Sequence, residues 1–225
     1  MAIAVGDIHG CLSTLERLIG RLPLEEQLVF LGDYVDRGPD SAGVVEYLKA
    51  LARRRPCVFL KGNHEDLMLH AVRDQAAIPS WLINGGEATL RSYGMERLQW
   101  SACAGRGAFL EPDMDFFAAL RPYHEDRYAV YVHAGVDLGI AEMSRQDPMT
   151  MLWVRDKFYR NTGRWGGKTI VFGHTPTRYM GLQGKEVFRA ARACGIDTGC
   201  VYGGYLTAFD PKSGALYQEK SDFTY

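Results

Sequence analysis

Polar and apolar positions in the first sixty residues follow a repeating order. Short, wholly apolar runs alternate with stretches in which apolar residues recur every three or four positions. The runs are Ile3-Ala4-Val5, Leu28-Val29-Phe30-Leu31 and Cys57-Val58-Phe59-Leu60. Between them, residues 11–22 place Leu12, Leu15, Leu18, Ile19 and Leu22 on one stripe, and Ser41–Ala52 does the same with Val44, Val45, Leu48 and Leu51. Unbroken apolar strands joined by amphipathic helices predict β-α-β units and a largely parallel sheet buried on both faces. Residues 66–122 read as helices and loops, with a turn at Asn84-Gly85-Gly86 before a short helical stretch. Strand signals return at 128–132, 169–172, 193–196, 205–209 and 215–217. Without an internal repeat, a low-complexity tract or a linker, residues 1–225 are expected to form a single domain of the α/β class.

Composition narrows the class of protein. Hydrophobic residues make up 47% and charged residues 24% of 225, an ordinary globular balance. Twenty-six basic against 27 acidic residues give a net charge of −1, which argues against a surface that coats nucleic acid. The five cysteines (Cys11, Cys57, Cys103, Cys194, Cys200) are odd in number and include no C-x-x-C pair, so neither a disulfide framework nor a thiolate zinc site is expected. The first residues lack the basic and apolar regions of a signal peptide, and no apolar run reaches the roughly 20 residues that span a bilayer. A cytoplasmic protein without membrane contact is expected. Arg53-Arg54-Arg55, at the end of a predicted helix, reads as a solvated terminus.

The residues that follow the strands carry the chemistry. Gly6-Asp7-Ile8-His9-Gly10 follows the first run, Gly32-Asp33-Tyr34-Val35-Asp36-Arg37-Gly38 the second, and Gly62-Asn63-His64-Glu65 the third. His133-Ala134-Gly135 and Gly173-His174-Thr175 follow two of the later strands. A single Gly-Asp pair after a strand is an ordinary turn. Five segments at five strand ends, each with a carboxylate, imidazole or amide, converge on one sheet edge, where open α/β sheets bind ligands. Oxygen and nitrogen donors without thiolate suit manganese, iron, zinc or cobalt. There are more donors than one ion needs. Two ions roughly 3.5–4 Å apart that share a carboxylate can hold a hydroxide for in-line attack on phosphorus and neutralise phosphate charge. Arg37, a permanently charged fork, suits phosphate oxygens.

These segments resemble the calcineurin-like metallophosphoesterases, and within them the phosphoprotein phosphatases, above all the bacterial and phage serine/threonine enzymes. The resemblance runs from Gly6 to His174 and continues more weakly to the end of the chain. It implies a four-layer α/β/β/α sandwich with a dinuclear metal site at the sheet edge. It also implies that Asp7 and His9 hold one metal, that Asp33 bridges both, and that Asn63, His133 and His174 hold the other. Manganese is the first expectation, with iron, zinc, cobalt or nickel as alternatives. His64 would be the general acid, supported by Asp36, and Arg37 and Arg155 would bind phosphate. Glu65, at a helix start, is read as supporting charge and not as a ligand. Trp81-Leu82-Ile83-Asn84-Gly85-Gly86 is also similar to the bacterial and phage forms and is assigned to positioning a loop beside the site.

The expected activity is hydrolysis of phosphomonoesters, with phosphorylated proteins or small phosphoesters as partners. Neither a nucleic acid nor an obligate regulatory subunit is expected. The rival is symmetrical hydrolysis of dinucleoside tetraphosphates, since the tail from Ile196 to Thr207 resembles both groups. Asp36 favours the phosphatase, and only 40 residues separate His133 from His174, leaving little room for a nucleotide-binding insertion. A degenerate, non-catalytic relative would lack a ligand or the acid, and none is missing. A nuclease would call for a basic face that a net charge of −1 does not suggest.

Overall fold

The apolar runs of the first sixty residues become β1 (Ala2–Val5), β2 (Gln27–Phe30) and β3 (Cys57–Phe59) in the computed structural model, which describes residues 2–95 and 108–225. The register pairs Val5 with Phe30 and Phe30 with Phe59, so these parallel strands finish level with one another. The later strands are β4 (Tyr123–Glu125), β5 (Ala129–Val132), β6 (Thr169–Phe172), β7 (Phe188–Ala190), β8 (Ala193–Gly195), β9 (Tyr205–Phe209) and β10 (Leu216–Lys220). They assemble with the first three into two five-stranded sheets, ordered β10-β9-β1-β2-β3 and β4-β5-β6-β8-β7.

Alternation along each strand builds the layers. Ile3, Val5, Leu28 and Phe30 point into a core shared with α1 (Leu12–Ile19), α2 (Ser41–Ala52) and α3 (Asn63–Arg73). Ala2, Ala4, Val29 and Leu31 point the other way and meet Ala129, Tyr131, Val171 and Cys194 of the second sheet. The opposite face of that sheet offers Val130, Val132, Ile170 and Phe172 to Met151 and Phe158. Both faces of the central strands are therefore covered, in an α/β/β/α order, as unbroken apolar runs require. Each fully buried Leu, Ile or Phe contributes about 1.5–3 kcal/mol to this arrangement. The shorter helices are α4 (Ile78–Trp81), α5 (Glu87–Ser92), α6 (Met114–Ala118), α7 (Pro148–Trp153) and α8 (Asp156–Tyr159).

Both sheets differ from the largely parallel expectation at their edges. β1–β2–β3 and β5–β6–β8 are parallel, but β9 and β10, β4 and β7 run antiparallel to their neighbours. β9 returns to β10 through a six-residue connection, too short for the crossover that a parallel pair needs. β4 and β7 are three residues long and only partly buried, so their composition carries no apolar run.

The arginine run also departs from the reading of a solvated terminus. Arg53 and Arg54 are exposed, but Arg55 is buried and its guanidinium donates to the carbonyls of Pro23 and Glu26. It ties the end of α2 to the loop before β2, and its aliphatic stem is buried with it. Cys11, Cys57, Cys194 and Cys200 are free thiols, while Cys103 lies outside the described residues. Among the described residues no helix is long and apolar enough to cross a membrane.

Candidate active site

The parallel strands deliver their polar termini to one edge. Asp7 and His9 come from β1, Asp33 from β2, Asn63 and His64 from β3, His133 from β5 and His174 from β6. Among the described residues, the only non-glycine positions with positive φ are His9, Asp33, Asp36, Arg37 and His174, at 47–71°. Such backbone costs of order 1–3 kcal/mol per residue and persists only where the surroundings enforce it. Here every instance is a side chain singled out in the sequence. Glycines create the room for this turn: a Cβ at Gly62 would overlap the Asp33 carboxylate and backbone nitrogen, and one at Gly173 would overlap the Asp7 carboxylate.

Two tight groups of buried donors result, His9–Asp33–His64 and Asp33–His133–His174, with Asp33 common to both. His9 Nδ1 faces the Val35 carbonyl at 2.8 Å and His133 Nδ1 faces the Leu31 carbonyl at 2.9 Å. With Nδ1–H donated to a carbonyl, each ring presents the lone pair of Nε2 to Asp33, at 3.4 and 3.5 Å. Asn63 Oδ1 lies 2.9 Å from His133 Nε2 and 2.8 Å from His174 Nδ1. His174 Nε2 is buried without a hydrogen-bond partner. The Nε2 lone pairs of His9 and His133 thus face the Asp33 carboxylate, acceptor to acceptor, which a cation would satisfy. Asp7 belongs to neither tight group: its two oxygens accept the His174 N–H at 3.2 and 3.0 Å.

The electrostatics point the same way. Burial lowers the pKa of His9, His133 and His174, with Arg37 adding to the effect at His9 and the His133 ring at His174, so neutral imidazoles are favoured. Burial alone would raise the Asp33 carboxyl, but the rings of His133, His64, His9 and His174, in their protonated form, outweigh it and hold the group well below the usual carboxylate range. Asp7 is pushed up by burial and by the carboxylates of Asp197 and Asp33. Asp197 is pushed up to about 6, chiefly by burial. Neutral imidazoles beside crowded carboxylates, only partly offset by Arg37 and Arg155, are what a pair of divalent ions would use. The donor set fits two oxygen- and nitrogen-ligated ions.

The second half of the site surrounds His64. Its Nδ1 is 2.8 Å from Asp36 Oδ2, both residues are buried, and the ring stands edge-on to His9 at 4.6 Å between centroids. Asp36 also accepts from Trp81 Nε1 at 3.0 and 3.1 Å and from the Thr89 hydroxyl at 2.7 Å. The segment assigned to a nearby loop is thus in direct contact with the pair. Its π-type turn Leu82–Gly86 holds Gly85 at φ 107°, and the Gly85 carbonyl accepts the Arg37 N–H at 3.1 Å. A Cβ on Gly85 would come within 2.7 Å of Arg37 Cγ. Glu65 is not a ligand. Its carboxylate accepts backbone N–H groups of Asp33, Tyr34, Val35 and Gly62, clamping the turn after β2 to the turn after β3.

Arg37 and Arg155 face one cleft of about 550 Å³ that His174 also lines. Arg37 donates to His9 Nε2 at 2.8 Å and lies over the Tyr202 ring. Arg155 donates to the His174 carbonyl at 3.4 Å and forms no ion pair with Asp156. Thr89 and Asp197 are absent from the site expected on sequence grounds, and Trp81 enters it there only within the segment beside it. Asp197 had a readable signal, since it follows β8, a parallel neighbour of β6, by the same strand-end rule. Trp81 was reached only as part of the segment assigned to a neighbouring loop, and Thr89 had no signal, because it meets Asp36 from 53 positions away.

The chain matches the family described as calcineurin-like phosphoesterase over residues 2–216. It is 32% identical over 208 residues to "Serine/threonine-protein phosphatase 1" of Salmonella typhimurium, covering 90% of this chain and 88% of that one. It is 26% identical to the "Bis(5'-nucleosyl)-tetraphosphatase PrpE [asymmetrical]" of Oceanobacillus iheyensis, covering 91% of this chain and 86% of that one. Among solved structures, a serine/threonine phosphatase from Saccharomyces cerevisiae shares the fold with a TM-score of 0.61 at 16% identity, over all of this chain and 80% of that one. The chain belongs to the calcineurin-like phosphoesterase family. It is a metal-dependent phosphoester hydrolase, and the two buried donor groups at its sheet edge are its candidate metal centre.

Proposed function

We propose that this enzyme is a phosphomonoesterase acting on phosphoserine and phosphothreonine in proteins. One observation carries the reading: the buried Asp36–His64 pair, 2.8 Å apart and held by two further donors. A serine alkoxide is a strong base and leaves phosphorus only as it takes up a proton. A nucleoside polyphosphate leaves as a stable anion and needs no acid. An imidazole kept in place by a carboxylate is therefore machinery for an alkoxide leaving group. The similarity to the Salmonella phosphatase supports the same reading.

In this account His9, Asp33 and Asp7 hold one divalent ion, and Asp33, Asn63, His133 and His174 hold another, with manganese the first choice. The ions supply Lewis acidity, water activation and neutralisation of phosphate charge. The chain's own groups do the rest. Arg37 and Arg155 receive the phosphoryl oxygens from the cleft side and orient the ester. Asp36 accepts the Nδ1–H of His64 and leaves Nε2 to face the ester, and the doubly protonated ring passes its Nε2 proton to the departing oxygen while keeping Nδ1–H on Asp36. Four free thiols suit a reducing cytoplasm, and the balanced charge suits protein substrates more than nucleic acid.

Dinucleoside tetraphosphate hydrolysis is the second reading, favoured by the relatives of that name. A side-by-side comparison of kcat/KM on a phosphoserine peptide and on diadenosine tetraphosphate, with manganese present, separates the two. The expected result is a preference for the peptide; a preference for the dinucleotide overturns the assignment.

A further inference from the structure

The cleft that holds Arg37 and Arg155 does not end at the phosphate. Its far wall is built from Tyr159, Arg160 and Tyr179, and these three residues also line a second cavity of about 500 Å³ that continues to Met180 and Phe188. A continuous groove thus leads away from the metal-ligand edge along α8 and the 3₁₀ turn Thr177–Met180. Its composition changes along the way. Arg160 is exposed at the end of α8, Arg178 lies 4.2 Å over the Tyr202 ring and donates to the Tyr179 hydroxyl at 3.2 Å, and Tyr179 is 61% exposed. None of Arg37, Arg155, Arg160 and Arg178 is ion-paired with a carboxylate among the described residues, and Asp156 is the one acid on the groove wall. Beyond Arg160 the walls become aromatic and apolar, with the rings of Tyr159 and Phe188 edge to face at 6.1 Å.

We infer that this groove seats the peptide flanking the phosphorylated residue and selects an acidic side chain at Arg160, followed by an apolar or aromatic one against Tyr179 and Met180. The inference rests on the phosphoprotein reading above. Two guanidinium groups suffice for one phosphoryl group. Arg160, on the wall the two cavities share, adds positive charge beyond it, where a monoester of a small alcohol would place nothing. An exposed tyrosine beside unpaired arginines forms the kind of surface that reads acidic motifs in extended peptides. A groove that runs on past the charge to an apolar end suits a chain with side chains on both flanks better than a compact ligand.

The test compares kcat/KM of the manganese-loaded full chain on matched phosphoserine peptides. One carries glutamates before the phosphoserine, one carries them after it, and one carries glutamines in both places. One acidic flank is expected to raise kcat/KM about tenfold over the glutamine peptide, through KM. In Arg160→Glu that ratio is expected to fall below one, with a lysine-flanked peptide now preferred; a misfolded variant would lose turnover on every peptide and could not invert a preference. Tyr179→Ala should cost the peptide with a hydrophobic residue next to the acid more than the peptide without it. Equal rates on acidic and glutamine peptides, or a preference that survives Arg160→Glu, would overturn the inference while leaving the phosphatase reading intact. Failure to hydrolyse any phosphopeptide, with p-nitrophenyl phosphate still turned over, would instead sink the phosphatase reading. If Arg160→Glu impairs only diadenosine tetraphosphate, the groove belongs to a nucleotide and the peptide assignment is wrong.

Discussion

Asp36 is a carboxylate held on all sides by side-chain donors. It accepts from His64, Trp81 and Thr89, and its own backbone N–H donates to the hydroxyls of Ser41 and Thr89. A carboxylate held this firmly fixes both the tautomer and the aim of His64. Replacing His64 by Asn should leave metal content near the wild-type level and lower kcat on a phosphoserine peptide by about 10²–10⁴, with a smaller loss on p-nitrophenyl phosphate, whose leaving group needs less protonation. Rapid-quench or steady-state rates on the two substrates check this, and equal losses would remove His64 as the acid. Trp81→Phe removes one donor from the same carboxylate and fills nearly the same volume. It should destabilise the fold by about 1–3 kcal/mol and repeat the His64→Asn substrate pattern in weaker form, measured by thermal melts and the same two rates. Thr89, and the direct bond from Trp81 to Asp36, show what residue-level reading of the sequence misses. Asp7, Asp33 and Asp36 follow strands and can be found from that position alone. The donors that hold Asp36 arrive through a turn more than forty residues away, with no periodicity to announce them.

Glu65 acts at the scale of elements. α3 begins at Asn63, and Glu65, in its first turn, reaches back to four backbone N–H groups on the turns after β2 and β3. The left-handed conformations of Asp33, Asp36 and Arg37 are affordable because this clamp and the Gly62 approach hold the turn. Glu65→Gln keeps the shape but turns one acceptor oxygen into a donor that faces other donors. The expected result is a loss of about 2–4 kcal/mol in stability by denaturant titration and weaker manganese binding by calorimetry. The elements themselves divide by legibility. β1, β2, β5 and β6 are buried on both faces and announce themselves as apolar runs, and β3, an edge strand only partly buried, still reads as one. β4, β7 and the whole of β10 lie at sheet edges, where half-exposed, mixed sequences suffice. Arg55 was unreadable for a related reason: whether a terminal arginine meets solvent or two carbonyls depends on a loop thirty residues earlier.

For the whole molecule, the metal centre and the stability of the sandwich are linked. The folded chain lowers the pKa of His9, His133 and His174, chiefly by burial. Their unfolded value is near 6.5, so between that pH and the lower folded value the unfolded state binds more protons. Stability from these groups is complete above about pH 6.5 and is lost as the pH falls, by up to about 1.4 kcal/mol per unit for each histidine. The raised carboxyls of Asp7, Glu65 and Asp197 act in the opposite sense, so the histidine contribution is read as a difference: on acidification of metal-free protein from pH 7 to 5, His133→Asn should change in Tm more favourably than the native sequence, and parallel curves would contradict the linkage. Added manganese should raise the Tm at pH 7, because it binds only the folded arrangement.

Everything in this account passes through Asp33, the one residue common to both buried donor groups. Elemental analysis of protein reconstituted with manganese and then freed of excess ion measures that role directly. Two ions per chain are predicted for the native sequence, and fewer than one for Asp33→Asn. Two tightly bound ions retained in Asp33→Asn would contradict a centre built around a shared carboxylate.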